Sequence, residues 1–295
     1  MSSIEFSFEK ACQDGTIPGA ILMAADRAGT FTYAKAFGVR SLRTKEPLEL
    51  DSVLFIASCT KLMTSIAAMQ CIERGQASLD MDVAGVLPEL AKADILTGFD
   101  HDRQPLFKKR ENVITLRKAD MATRDARGKL VHDDGPQLND GAEDCFGGHG
   151  ASASMPDYLE ILKSILKDDE RLLKKETTAI MFQPQLSDES REAMKKLWSI
   201  PAATKYFVGE FPQGVATDWG IGGLLIREAI EGWRRRNTLV WSGLPNLFWF
   251  IDREAGLCGL FGCQVTPPGD EKTGEMITLF EKVMYESIEK RSAKL

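Results

Sequence analysis

The sequence predicts a mixed α/β (α+β) fold, an antiparallel sheet built from N- and C-terminal strands and flanked by helices. Three observations carry this. A hairpin pattern fills residues 20–37, short β-branched or aromatic runs crowd residues 221–265, and helical periodicity dominates between them. The 295 residues are ample for one large core. They read as a single domain in three stretches: 1–96 with the hairpin and a central helix, an irregular 97–150, and 151–295 with helices, strands and a last helix.

In chain order, residues 4–13 form a helix closed by Gly15. Ala20–Ala25 and Thr30–Phe37 flank the polar turn Asp26-Arg27-Ala28-Gly29 and pair as a hairpin. Residues 53–57 are a short apolar lead-in to a helix beginning at Thr60. That helix is apolar over most of its circumference, which predicts a central position, and Gly75 closes it. Leu79–Val83 starts a second short helix. Residues 97–150 are polar and weakly periodic, mostly loop with one short element near Val113–Leu116, and so long a loop in a compact domain is anomalous. Ser154 caps a helix through Leu166, with Asp157 three residues on and Pro156 in the first turn. Another helix covers 174–182. Ile221–Ile226, Leu239–Trp241, Leu247–Ile251 and Leu257–Val265 read as strands, and 274–291 as a final amphipathic helix.

Composition removes several function classes. Thirty-seven basic and 43 acidic residues leave a net charge of −6, which disfavours a nucleic-acid binder. No apolar run approaches the ~20 residues of a membrane span, and the first residues lack a basic, then apolar, leader pattern. Six cysteines without a CxxC pair predict reduced thiols and a cytoplasmic protein. The histidines at 101, 132 and 149 lie in polar loops without ligand spacing, so no metal and no cofactor is expected.

The chemistry concentrates at Phe55-Ile-Ala-Ser58-Cys-Thr-Lys61. Ser58 sits where the apolar lead-in turns into the helix, near backbone N–H groups without intrahelical acceptors. Lys61, one turn later, shares its face, with Cβ atoms roughly 5–6 Å apart. A serine becomes a nucleophile beside a base, and a lysine acts as base once burial or positive potential lowers its pKa. Ser164…Lys167 and Ser287…Lys290 repeat the spacing, but in mid-helix, where no orphan N–H groups exist.

Ser58-Cys-Thr-Lys61, the buried helix and Gly75-x-x-x-Leu79-Asp80-x-x-Val83 together resemble the serine β-lactamase and penicillin-binding-protein family of class C type. The stretch Leu239-Val-Trp241-Ser242-Gly243-Leu244-Pro245-Asn246-Leu-Phe-Trp249-Phe-Ile-Asp252-Arg253, with Gln264-Val-Thr-Pro-Pro-Gly269-Asp270, is similar to its lovastatin-pathway-type transesterase branch. The resemblance spans nearly the whole chain. It implies Ser58 as acylated nucleophile, Lys61 as its base and Trp241-Ser242-Gly243 as the third motif on a strand lining the site. It further implies an oxyanion hole from the N–H groups of Ser58 and Leu244, such donors being worth about 3 kcal/mol each. The literal Lys272-Thr273-Gly274 opens the last helix and is read as a decoy.

The chain departs from the family pattern in one respect. The family's catalytic tyrosine has no counterpart among Tyr33, Tyr158, Tyr206 and Tyr285, and Tyr158 reads as core. The sequence looks internally shortened at Arg117/Lys118, where most of a helical subdomain is expected. Less helix over the sheet predicts exposed apolar surface and self-association.

Other features have plainer readings. Gly147-Gly148-His149-Gly150 is a turn into the Ser154 helix, not a phosphate loop. Trp233-Arg234-Arg235-Arg236-Asn237 is a solvated hairpin tip, with steering of an acidic acyl-carrier protein or coenzyme A as the alternative. Trp219, Trp241, Trp249 and Phe250 divide between an acyl pocket and sheet core. The family resemblance implies a serine acyltransferase taking an acyl group from a thioester donor (acyl-carrier protein or coenzyme A) to an alcohol of a small-molecule secondary metabolite. The alternatives are a carboxylesterase-type hydrolase and an inactive pseudoenzyme.

Overall fold

The computed structural model describes residues 3–81, 122–124, 127–132, 147–200, 208–210 and 214–293. Its frame is a seven-stranded antiparallel sheet. In chain order, helix α1 (Ser3–Gln13) precedes the hairpin β1 (Gly19–Asp26) and β2 (Thr32–Gly38). Strand β3 (Val53–Phe55) and a 3₁₀ turn (Ala57–Cys59) lead into α2 (Thr60–Glu73). Three short strands follow, β4 (Ala122–Arg124), β5 (Leu130–His132) and β6 (Ser152–Ser154). Then come α3 (Met155–Lys167), α4 (Lys175–Met181) and α5 (Asp188–Trp198). Strands β7 (Thr217–Trp219), β8 (Leu224–Ile226), β9 (Thr238–Gly243), β10 (Leu247–Asp252), β11 (Leu257–Gly262) and β12 (Val265–Thr266) precede α6 (Glu271–Ser292).

The large sheet runs β2-β1-β11-β10-β9-β8-β7, so the N-terminal hairpin adds directly to the C-terminal strands. Its central strands are buried on both sides, and their side chains alternate between two cores. Leu22, Ala24, Phe248 and Phe250 join Phe8 of α1 and Phe280 and Tyr285 of α6. Ile21, Met23, Trp249 and Ile251 join Leu62 and Ile66 of α2 and Leu159, Leu162 and Ile165 of α3. Fully burying such side chains contributes about 1.5–3 kcal/mol each before entropy is counted. The predicted helix start at Ser154 is present, its hydroxyl accepting from the Asp157 N–H at 3.3 Å.

Several expectations need correction. Helix α2 is not buried all round: Thr60, Leu62, Ile66 and Met69 are buried, whereas Ala67 and Ala68 are exposed, because only one flank packs on the sheet and α3. The stretch read as loop over 97–150 contains β4 and β5, which join β12 in a small sheet through parallel pairs Val265↔Ala122 and Thr266↔Thr123. Strands of three residues carry too little alternation to be read from sequence. Residues 78–81 make a turn, and the remainder of the short helix expected from Leu79 lies outside the described residues. So do the element near Val113–Leu116 and the Arg117/Lys118 junction.

The basic cluster is not a solvated tip. Trp233 and Arg234 are buried, and Arg234 makes a two-pronged ion pair with the equally buried Glu281 of α6, at 2.9 and 2.5 Å. The guanidinium also lies 4.2 Å from the centre of the Trp233 ring. Lys272-Thr273-Gly274 falls in the first turn of α6, where Asp270 caps the Thr273 N–H at 2.9 Å. Exposed large apolar side chains among the described residues are Phe6, Val53, Leu79, Leu197 and Ile200. The described cysteines 12, 59, 71, 258 and 263 are free thiols, and no described helix is long and apolar enough to cross a membrane.

Candidate active site

Ser58 is delivered by a tight sequence of backbone events. Strand β3 pairs with β6, Val53 opposite Ser154 and Phe55 opposite Ser152, and the Ile56 N–H continues that pairing onto the Ala151 carbonyl at 3.0 Å. Ala57 then adopts φ +42°, a left-handed conformation costly for a residue with a Cβ. The chain thereby turns sharply into the 3₁₀ segment, and Ser58 stands half-buried at its centre.

Lys61 points back at Ser58. Its Nζ lies 2.9 Å from Ser58 Oγ and 2.7 Å from the Gly148 carbonyl oxygen. Burial pulls the Lys61 pKa below the ordinary lysine value, and the neighbouring Cys59 opposes this in part. A neutral amine in this position can accept a proton from Ser58 on its lone pair while donating one N–H to Gly148. Once protonated, it keeps that carbonyl as a partner for its charge.

The Gly147–Gly150 turn is thus more than a lead into α3. It is fastened along α2: Thr64 Oγ1 donates to the Gly147 carbonyl at 2.6 Å, and the Ala151 N–H donates to Thr60 Oγ1 at 3.3 Å. A Cβ at Gly148 would approach Lys61 Nζ to 3.4 Å, so a small residue suits the contact. His149 is half-buried between these anchors instead of lying free in a polar loop, and burial and the charge of Lys61 both lower its pKa. Sequence reasoning missed this because hydrogen bonds to backbone carbonyls leave no residue-type signature. His101 and the side chain of His132 lie outside the description.

Strand β9 closes the other side. A Cβ at Gly243 would meet the Ile56 carbonyl oxygen at 2.5 Å and Cys59 Sγ at 3.3 Å, so only glycine permits the strand to lie against the Ser58 turn. The strand bearing Trp241-Ser242-Gly243 therefore lies against the turn that holds Ser58, with Trp241, Ser242 and Leu244 half-buried. Trp241 meets Trp219 of β7 edge-on, ring centres 4.8 Å apart. Trp249 and Phe250 belong to the two cores.

Two of the described tyrosines hydrogen-bond elsewhere. Tyr158 is buried and donates its hydroxyl to the Cys59 carbonyl at 2.9 Å, holding α3 against the Ser58 turn. Tyr285 donates to Asp252 at 2.8 Å, and Tyr33 is on β2. Tyr206 is outside the described residues. Among the described residues no group of three or more His, Cys, Asp or Glu side chains could hold a metal ion.

Residues 7–102 match the β-lactamase family model, and acyltransferases and esterases are among the proteins to which this chain is similar. The chain is 28% identical to the monacolin J acid methylbutanoyltransferase of Aspergillus terreus, over 96% of this chain and 95% of the relative. It is 29% identical to the lovastatin esterase of Penicillium rubens, over 90% and 94%. A mutant of simvastatin synthase from Aspergillus terreus superimposes with a TM-score of 0.87 at 28% identity, covering 97% of this chain and 95% of that one. The alignment with the methylbutanoyltransferase extends over 392 positions against 295 residues here, so that relative carries internal stretches that this shortened chain lacks.

Proposed function

We propose that the protein transfers an acyl group from a thioester to an alcohol of a secondary metabolite through an acyl-Ser58 intermediate. Ser58 Oγ attacks the thioester carbonyl as Lys61 Nζ takes its proton. The oxygen of the tetrahedral intermediate is held by the N–H groups of Ser58 and Leu244. The C–S bond breaks, and the thiolate leaves with the proton from Lys61. The acceptor alcohol then gives its proton to Lys61 and attacks the acyl-serine, and Ser58 recovers the proton as the new ester departs. The donor is an acyl-carrier protein or coenzyme A thioester, and the acceptor is a small hydroxylated metabolite of polyketide type that stacks against the Trp219–Trp241 pair.

The observation that carries this reading is the 2.9 Å contact of a partly desolvated Lys61 amine with Ser58 Oγ. Likeness to a methylbutanoyltransferase and a simvastatin synthase supports transfer. The lovastatin esterase among the relatives favours a second reading, in which water replaces the alcohol.

Mass spectrometry after mixing the protein with an activated acyl thioester tests the reading. An adduct on the Ser58 peptide, absent from Ser58→Ala, is expected. Its discharge by an added alcohol in preference to water separates transfer from hydrolysis. A folded protein that never acquires the adduct overturns the proposal and leaves an inactive scaffold.

A further inference from the structure

The two N–H groups assigned to the oxyanion sit on different sheets. Ser58 follows β3, which pairs with β6, whereas Leu244 follows β9 of the seven-stranded sheet. No ladder hydrogen bond joins β3 to β9. Yet an oxyanion hole needs its donors held to roughly 0.5 Å. Besides the close approach of Gly243 to Ile56, a second link bears on their separation.

The segment leaving β11 supplies it with two side-chain amides. Gln264, almost fully buried, clasps one residue of the Ser58 lead-in: its Nε2 donates to the Phe55 carbonyl at 3.0 Å, and its Oε1 accepts from the Phe55 N–H at 3.2 Å. The second Nε2 hydrogen goes to the Cys263 carbonyl at 2.7 Å. Next in chain, the Val265 N–H donates to the Pro245 carbonyl at 3.1 Å. Asn246 answers from the β9–β10 turn. Its Nδ2 donates to the carbonyls of Val265 at 2.7 Å and Pro267 at 2.8 Å, and its Oδ1 accepts from the Gly269 N–H at 3.0 Å. Asn246 is wholly buried and holds φ +60°, a conformation asparagine tolerates better than most residues. All four amide hydrogens of the two side chains are used.

We propose that Gln264 and Asn246 are positioning residues: residues 264–269 form a bracket that ties Phe55, three residues before Ser58, to Pro245 and Asn246, immediately after Leu244, and so fixes the gap between the two oxyanion donors. The inference rests on the acyl-Ser58 reading above. It concerns residues that touch neither the acyl group nor Lys61.

The test is single-turnover acylation of Ser58 by an activated acyl thioester in the full chain, with Gln264→Met and Asn246→Gly. Methionine keeps the length and loses the amide, and glycine keeps the left-handed backbone and loses the bracket bonds. In folded variants the maximal acylation rate is expected to fall about 10²-fold. The half-saturating thioester concentration and the pH midpoint set by Lys61 should stay put, because the nucleophile–base pair is intact. Wild-type rates in folded variants overturn the bracket and leave the Ser58 reading standing. A pH midpoint that moves with the rate, or variants with no folded population, assigns the bracket a general structural role and also overturns it. Absence of any adduct in the unaltered protein removes the parent reading and the bracket's role with it.

Discussion

Lys61 Nζ and the carbonyl oxygen of Gly148 lie 2.7 Å apart across 87 residues of sequence, with Ser58 Oγ 2.9 Å away on the amine's other side. In the acylation proposed for Ser58, this arrangement makes the amine's charge state the switch. Only the neutral amine accepts the Ser58 proton, so acylation should rise with pH through the Lys61 pKa. That midpoint is expected below the ordinary lysine value of about 10.4, because burial disfavours the ammonium. Lys61→Met should slow acylation by about 10²–10⁴-fold and abolish that limb of the pH–rate profile. Single-turnover kinetics between neutral and alkaline pH measure both effects. A profile that keeps its limb in Lys61→Met would assign the base elsewhere.

The coupling between Lys61 and His149 has its own signature. A positive charge beside an imidazole disfavours the imidazolium, so removing it in Lys61→Met should raise the His149 pKa. Burial is the larger cause and remains, so the value should still lie below 6.5. Titration of the His149 ring protons by NMR in the two proteins measures the difference. An unmoved or lowered value in the variant refutes the contact.

Gly243→Ala places a methyl group 2.5 Å from the Ile56 carbonyl oxygen. Backbone cannot yield as a flexible side chain does, so β9 and the Ser58 turn must part. The expected cost is about 1–3 kcal/mol in denaturant unfolding, with acylation about 10²-fold slower in the folded fraction. Ala substitution without loss of rate would show that the approach of β9 is not needed for the chemistry.

Behind the sheet, Arg234 and Glu281 are buried together. Arg234→Met strands a carboxylate in the core and should cost about 3–5 kcal/mol, whereas Arg234→Met combined with Glu281→Leu should cost distinctly less. Urea denaturation of both single variants and the double variant closes the cycle. Additive losses would mean that the pair is not energetically linked.

The amino-acid sequence by itself determined the elements whose period or punctuation is local. The α1, α2, α3, α4 and α6 helices, the N-terminal hairpin and the strands from β8 to β11 follow from apolar spacing, from Ser154 as a cap and from Gly-containing turns. Helix α5 was also within reach. Ser187 caps it, Asp188 and Glu189 open it and Lys195 and Lys196 close it, but only Met194 is buried, so apolar spacing alone passed over it. Ser58 and Lys61 were legible because one helical turn brings i and i+3 together without help from the rest of the chain. What the sequence could not determine depends on partners far along the chain. Gly148 against Lys61, Gln264 against Phe55 and Arg234 against Glu281 all join residues of unremarkable type, separated by 87, 209 and 47 positions. Hydrogen bonds to backbone and buried ion pairs impose no periodicity on sequence, so only the packed sheet decided them, and with them the geometry around Ser58.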